Sequence, residues 1–162
     1  MRVPPLHTNE HERVSALQNS GLLDSGPEER FDRITRTASR LFDVPIALVS
    51  LIDDHRQWFK SRVGLDAAQT PREVSFCGHA ILDQKVLTVE DTQAAPRFAD
   101  NPLVVDGPKI RFYAGCPLHD EHGNAFGTLC IIDSKPRRFG VDEKAALSDL
   151  ARVVEREIKN VA

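Results

Sequence analysis

Apolar residues in this chain change their spacing twice. Phe31, Ile34, Ala38 and Leu41 recur at intervals of three and four, the spacing of one helix face, and predict a helix over 28–42 that stops before Pro45. Pro27 precedes it at the point where a missing N–H costs nothing, and Leu22 to Pro27 reads as the turn leading in. Upstream, Asn9 is followed three residues later by Glu12, and Val14 and Leu17 share a face, so a shorter helix is expected over 9–18. From Val44 the helical period disappears. Ile46-Ala47-Leu48-Val49-Ser50-Leu51-Ile52 is a nearly continuous apolar run closed by Asp53-Asp54-His55, the pattern of a strand buried on both faces and then a turn. Gln57 to Val63, bounded by Gly64, predicts its hairpin partner, and Val86–Val89, Ile110–Cys116 and Phe126–Ile132 predict three further strands. His119 to Asn124 supplies the turn residues of a hairpin between the last two. The helical period returns over 142–158, where Leu147, Leu150, Ala151, Val154 and Ile158 form one stripe. Between the third and fourth strands, Asp91 to Lys109 holds Pro96, Pro102, Gly107 and Pro108, which exclude one long helix or a central strand. A connection of that length in a small domain is expected to be a lid or a binding loop.

Composition narrows the class of partner. The 162 residues suit one domain, and 41% hydrophobic with 28% charged residues is the balance of a chain that folds around a core. A net charge of −3 and a pI near 6.1 give no broad basic surface, so nucleic acid is not expected as a partner. The longest apolar run, Val44–Ile52, is less than half of the roughly 20 residues that a membrane helix needs, so no membrane partner is expected. Met1-Arg2-Val3-Pro4-Pro5 has no apolar core of a secretory signal, and the odd count of widely spaced cysteines, Cys77, Cys116 and Cys130, predicts free thiols in the cytoplasm. Glycine-rich phosphate-cradling loops are absent.

Six stretches carry a resemblance to a known family. They are Glu29–Thr35, Val44–Asp53, Ser75-Phe76-Cys77-Gly78-His79-Ala80-Ile81, Arg97-Phe98-Ala99-Asp100-Asn101-Pro102, Arg111–Leu118 and Gly127-Thr128-Leu129-Cys130-Ile131-Ile132-Asp133. Together they resemble the GAF domain, a small-ligand sensor fold, in the form that precedes bacterial histidine kinase and diguanylate cyclase domains. The resemblance implies an α+β, profilin-like architecture: a central antiparallel sheet of five to six strands with helices on both faces. One domain is expected over 1–162, with N-terminal helices in 1–43, the sheet in 44–134 around the lid segment 91–109, and the C-terminal helix in 139–162. It also implies a ligand pocket between sheet and lid, and a homodimer through the terminal helices. The chain ends at Ala162, so a stand-alone sensor is expected that acts through a dimer or a signalling partner.

The candidate pocket residues are Phe76, Cys77, His79, Asp91, Arg97, Phe98, Asn101, Arg111 and Tyr113. Aromatic side chains with a few polar groups are the usual lining of a small-molecule site, and Arg97 or Arg111 could clamp a carboxylate or phosphate in two-pronged fashion. The plainer reading is that each Arg pairs with Asp91, Asp100 or Asp106 to pin the lid, and that Phe98 and Phe112 are core. Ser75 is a good N-cap for a helix that places Cys77 in its first turn, where thiolate is favoured; a reactive thiol and a small buried gap-filler are the two readings.

The same Cys77-Gly78 pair is similar to that of the free methionine-(R)-sulfoxide reductases, which are GAF enzymes. Their lid cysteine has no counterpart in 91–109, so a thiol enzyme ranks behind a binding role. The signature of cyclic-nucleotide-binding GAF domains is missing, and Gly78 between Cys77 and His79 argues against a covalently attached bilin. The ligand and any cofactor stay unknown, with haem still open. Metal binding is not expected of Cys77, His79, His119 and His122, nor of His7 and His11, which straddle a helix start. Trp58 is expected in packing rather than in the pocket, and a ligand-free dimerisation scaffold is the remaining alternative.

Overall fold

The computed structural model describes residues 1–160. Its centre is one antiparallel six-stranded sheet in the order β3-β2-β1-β6-β5-β4, formed by β1 (Ile46–Ile52), β2 (Arg56–Val63), β3 (Gln69–Pro71), β4 (Leu87–Val89), β5 (Phe112–His119) and β6 (Ala125–Asp133). All seven residues of β1 and all nine of β6 are buried. That is why β1 reads as a continuous apolar run rather than an alternating one: both faces of the central strands are covered.

Alternate side chains of β1 feed two separate cores. Ala47, Val49 and Leu51 join a core made with α1 (Glu10–Asn19), α2 (Glu29–Phe42) and α5 (Val141–Lys159). Ile46, Leu48 and Ile52 join a second core with Phe76, Phe98, Val104 and Ile110. This second layer has no long helix. It consists of a 3₁₀ turn at Arg72–Val74, the single-turn helix α3 (Cys77–Ala80), a second 3₁₀ turn at Thr92–Ala94 and the short α4 (Pro102–Val105). β1 and β6 approach so closely that a Cβ at Gly127 would penetrate the carbonyl of Ser50.

Helical periodicity placed α2 and α5 to within a residue or two, but the apolar stripe of α2 ends differently from the expectation. Leu41 is 58% exposed, and Phe42 turns inward against Phe139 instead. Asp43 then closes the helix in the left-handed conformation at φ 52°. β3 has no apolar pattern and was not foreseen; Pro71 is tolerated because β3 lies at the sheet edge, paired only with β2. The proline-rich stretch 91–109 is docked rather than extended. Thr92 binds Arg111 and Ile110 through its backbone N–H and hydroxyl, and Asn101 caps α4 through Leu103 N–H while donating to the Val74 carbonyl.

A buried ion cluster joins the helical layer to the segment that precedes α3. Arg13, fully buried, donates to the carbonyls of Ile52 at 2.6 Å and Ala125 at 3.2 Å. Glu10 accepts from both Arg13 and Arg72, and Arg72 also donates to the Asp53 carbonyl. Burial alone would raise the Glu10 carboxyl; the hydrogen bonds from Arg72 and Arg13 outweigh it and hold the group at about 2.

Since the ordinary carboxyl value is 4.5, this cluster contributes its full stability above that pH and loses it as the pH falls towards 2. Unfolding free energies of wild type and Glu10→Gln, from denaturant titrations, should therefore differ by about 2 kcal/mol near neutrality and converge in acid; parallel pH curves would contradict this. Gly127→Ala, which forces β1 and β6 apart, is expected to cost roughly 3 kcal/mol or more, read from the same denaturant titrations.

Candidate functional site

The weakly structured second layer leaves a cavity of about 420 Å³ against the sheet. Ile46, Leu48, Phe59, Ile132 and Tyr113 form its sheet wall, Phe76 and Cys77 its inner end, and Leu103 and Ile110 the lid side. Its rim is made by Asp66, Ala67, Gly107 and Pro108, all exposed. The polar groups in the lining are few: Gln57, Asp66, Thr70, Tyr113 and the two thiols of Cys77 and Cys130. No Lys, Arg or His lines it.

Two of these polar groups, Tyr113 and Cys130, converge on Cys77 together with Thr128 from behind the wall. The Cys77 Sγ accepts from the Thr128 hydroxyl at 3.0 Å and the Tyr113 hydroxyl at 3.1 Å, and the Cys130 Sγ lies 3.8 Å away. Tyr113 reaches this position because residue 115 is glycine: a Cβ there would collide with the phenol oxygen. Burial pushes the Cys77 thiol up, but the hydrogen bonds from Cys130, Thr128 and Tyr113 prevail and bring it down to about 7. Cys130 is pushed the other way, by its hydrogen bond to Cys77 and by burial, and burial together with the neighbouring sulfur charge does the same to Tyr113. The arrangement is one sulfur acceptor facing three donors that keep their protons. The N-cap position of α3 falls to Phe76 rather than Ser75, whose hydroxyl lies one residue further back and accepts from the Gly78 N–H at 3.1 Å. The side-chain donors, however, are what favour thiolate at Cys77.

Three of the nine residues singled out from sequence, Phe76, Cys77 and Tyr113, lie in the cavity wall. The other six form a shell behind it. Phe98 stacks on Phe76 at 4.3 Å, with the His79 ring edge-on and the Arg97 guanidinium over its face. His79 Nε2 is 3.1 Å from the Arg2 carbonyl, and burial lowers its pKa, so the ring is neutral and donates. Arg111 donates to the carbonyls of Val104 and Ile110, Asp91 accepts from Gln93 N–H, and Asn101 caps α4. Arg97 and Arg111 thus hold the lid segment rather than face the cavity. Gln57, Thr70, Thr128 and Cys130 were not singled out. For Thr128 and Cys130 the signal was a polar or sulfur side chain inside the otherwise apolar β6, which requires a buried partner; Gln57 and Thr70 stand in polar stretches that carry no such signal.

All three cysteines are free, and Cys116 lies in the helix-side core, away from the pair. Among the described residues no group of three or more His, Cys, Asp or Glu could hold a metal ion. Trp58 packs in the helix-side core.

The sequence profile of the GAF domain matches residues 26–158. The chain belongs to the GAF family. This GAF domain is 45% identical over 159 residues to a cyclic di-GMP phosphodiesterase of Pseudomonas aeruginosa, a match that takes in 98% of the chain but only 27% of that protein. The chain thus spans about a quarter of that relative. Its fold is similar to the type II free methionine-R-sulfoxide reductase of Thermoplasma acidophilum, with TM-score 0.65 and 14% identity, covering 80% of this chain and 89% of the other. The GAF domain of the Acinetobacter phosphoenolpyruvate-protein phosphotransferase gives TM-score 0.65 and 13% identity, covering 91% and 92%. At these identities the likeness is one of fold. The six-stranded sheet and its helices are those the resemblance implied, and the GAF domain has a sensory role in signalling. No helix among the described residues is long and apolar enough to cross a membrane.

If the hydroxyl donors set the acidity of Cys77, Thr128→Val and Tyr113→Phe should each move its titration midpoint up from about 7 by roughly one pH unit, followed by thiolate absorbance in Cys116→Ala protein. An unmoved midpoint in both variants would assign the shift elsewhere.

Proposed function

We propose that this GAF domain is a cytoplasmic bacterial sensor whose single unit binds a small, largely apolar and uncharged molecule in the 420 Å³ cavity and regulates a signalling partner. The observation that carries the reading is the lining itself. Apolar side chains dominate, the polar groups other than Asp66 at the rim and the acidic Cys77 thiol are uncharged, and no cation lines the cavity to neutralise a phosphate or carboxylate. A desolvated anion would find donors only at Gln57, Thr70, Tyr113 and the thiols, so phosphorylated ligands, cyclic di-GMP among them, are disfavoured in this cavity. The 45% identity to a segment of a cyclic di-GMP phosphodiesterase supports a place in cyclic dinucleotide signalling as regulator of that chemistry, with the dinucleotide bound elsewhere. Unpaired cysteines suit a reducing compartment.

A ligand signals only if it prefers one conformation. Two features connect the cavity to the terminal helices: the shared strand β1, whose alternate side chains line the cavity and pack on the helices, and the Glu10–Arg13–Arg72 cluster. The same reading includes a homodimer through the terminal helices, supported by the exposed Leu41 and Val153. Since α5 buries Leu147, Ala151, Val154 and Ile158 in its own core, the dimer is tested by Leu41→Glu with Val153→Glu and sedimentation mass, rather than by deleting the helix.

A thermal-shift series with uncharged aromatic and aliphatic compounds, tetrapyrroles, amino acids and nucleotides tests the ligand class. Neutral apolar compounds should stabilise the domain, by about 2.7 kcal/mol at a hundredfold excess over Kd, and Leu48→Trp, which puts a larger side chain into the cavity wall, should weaken the effect. Stabilisation by nucleotides alone, or by nothing in the series, would overturn the reading.

A further inference from the structure

Two thiols line one cavity and nearly touch. Cys77 opens α3 and Cys130 lies in β6, so they come from separate layers, yet their sulfurs are 3.8 Å apart. A disulfide needs about 2.05 Å, a closure of roughly 1.8 Å that side-chain rotation and a small shift of α3 can supply. α3 is a single turn outside the sheet, its Gly78 N–H bonded to Ser75, whereas β6 is paired on both sides, with β1 and β5. The third cysteine is an internal control, in the other core with its Sγ beside Arg152.

We propose that Cys77 and Cys130 form a peroxide-responsive dithiol site, in which a small hydroperoxide entering the ligand cavity oxidises Cys77 and Cys130 resolves it to an intramolecular disulfide. The Cys77 thiolate attacks one peroxide oxygen, the O–O bond breaks, and the departing alkoxide or hydroxide takes a proton from solvent, leaving Cys77 as sulfenic acid. The Cys130 sulfur then attacks the Cys77 sulfur. The S–O bond breaks, and hydroxide leaves with the Cys130 proton as water. Two thiols and one hydroperoxide give one disulfide, one alcohol (water, for hydrogen peroxide) and one water. The donors suit the first step, since Thr128 and Tyr113 stabilise sulfur as an anion in a cavity without cations. They also time the second: the negative sulfur at Cys77 holds the proton on Cys130, and oxidation of Cys77 removes that charge. A disulfide would draw α3 towards the sheet and take away the acceptor on which Tyr113 and Thr128 converge, reshaping the inner end of the cavity. The site does not depend on a bound ligand, so its failure leaves the proposed ligand class untouched.

Reduced protein is titrated with hydrogen peroxide and tert-butyl hydroperoxide, alkylated at intervals in denaturant, digested without reductant and mapped by mass spectrometry. The expected result is a Cys77–Cys130 linked peptide, reversed by dithiothreitol, with the free thiol of Cys77 lost at least tenfold faster than that of Cys116. In Cys130→Ala, Cys77 should instead be captured as its dimedone adduct. The wild-type map stands on its own if that variant does not fold. Equal loss of all three thiols, a disulfide between chains, or no linked peptide at peroxide levels that oxidise glutathione in a parallel sample would overturn the proposal.

Discussion

A sheet whose central strands are buried on both faces must be covered twice, and the two covers here are built from unlike material. On one face, α2 and α5 bring long apolar stripes, joined by Leu17 of α1, that pack on Val49, Leu51, Phe112 and Leu129. On the other, turns of three or four residues and irregular chain do the work. Short segments cannot fill a pleated surface to the density of a helix layer, and the 420 Å³ cavity is what remains. The cavity follows from this asymmetry, as does its chemistry: its floor is the sheet's own apolar face, interrupted where Gln57, Thr70, Tyr113 and Cys130 stand in the strands.

Burial in such a place makes polar side chains demanding. Thr128 and Tyr113 are fully buried, and both place their hydroxyls on the Cys77 sulfur. Thiolate character at Cys77 is therefore a by-product of satisfying two buried hydroxyls. It needs no basic residue, and none lines the cavity. The same logic governs the far side of the molecule, where Arg13 is affordable only because Glu10 and two backbone carbonyls surround its guanidinium.

Most of the sheet and the long helices were legible because their signals are local. Continuous apolar runs mark β1 and β6, and helical spacing marks α2 and α5. What escaped lies where tertiary context decides. β3 has no apolar pattern and exists only because β2 offers an edge. Leu41 follows the period of α2 but sits beyond the reach of the sheet, while Phe42 finds Phe139 from far along the chain. In the site, Phe76, Cys77 and Tyr113 could be read from motif and composition, whereas the pairing of Cys77 with Cys130 joins residues in different layers. Arg97 and Arg111 show the converse error of expectation: cations near a lid look like clamps for an anion, yet backbone carbonyls and the Phe98 ring satisfy them.

The cavity wall divides into two kinds of chain. Ile46, Leu48, Phe59, Tyr113 and Ile132 belong to strands, whereas Leu65, Asp66, Ala67, Leu103, Gly107 and Pro108 come from loops and the single-turn α4. Substitutions in the second set alter what fits without touching the strand pairing that stabilises the domain. The shape of the opening and the foldability of the domain are thereby written in different residues, so drift at the rim reshapes the cavity while its framework, and the thiols at its base, stay as they are.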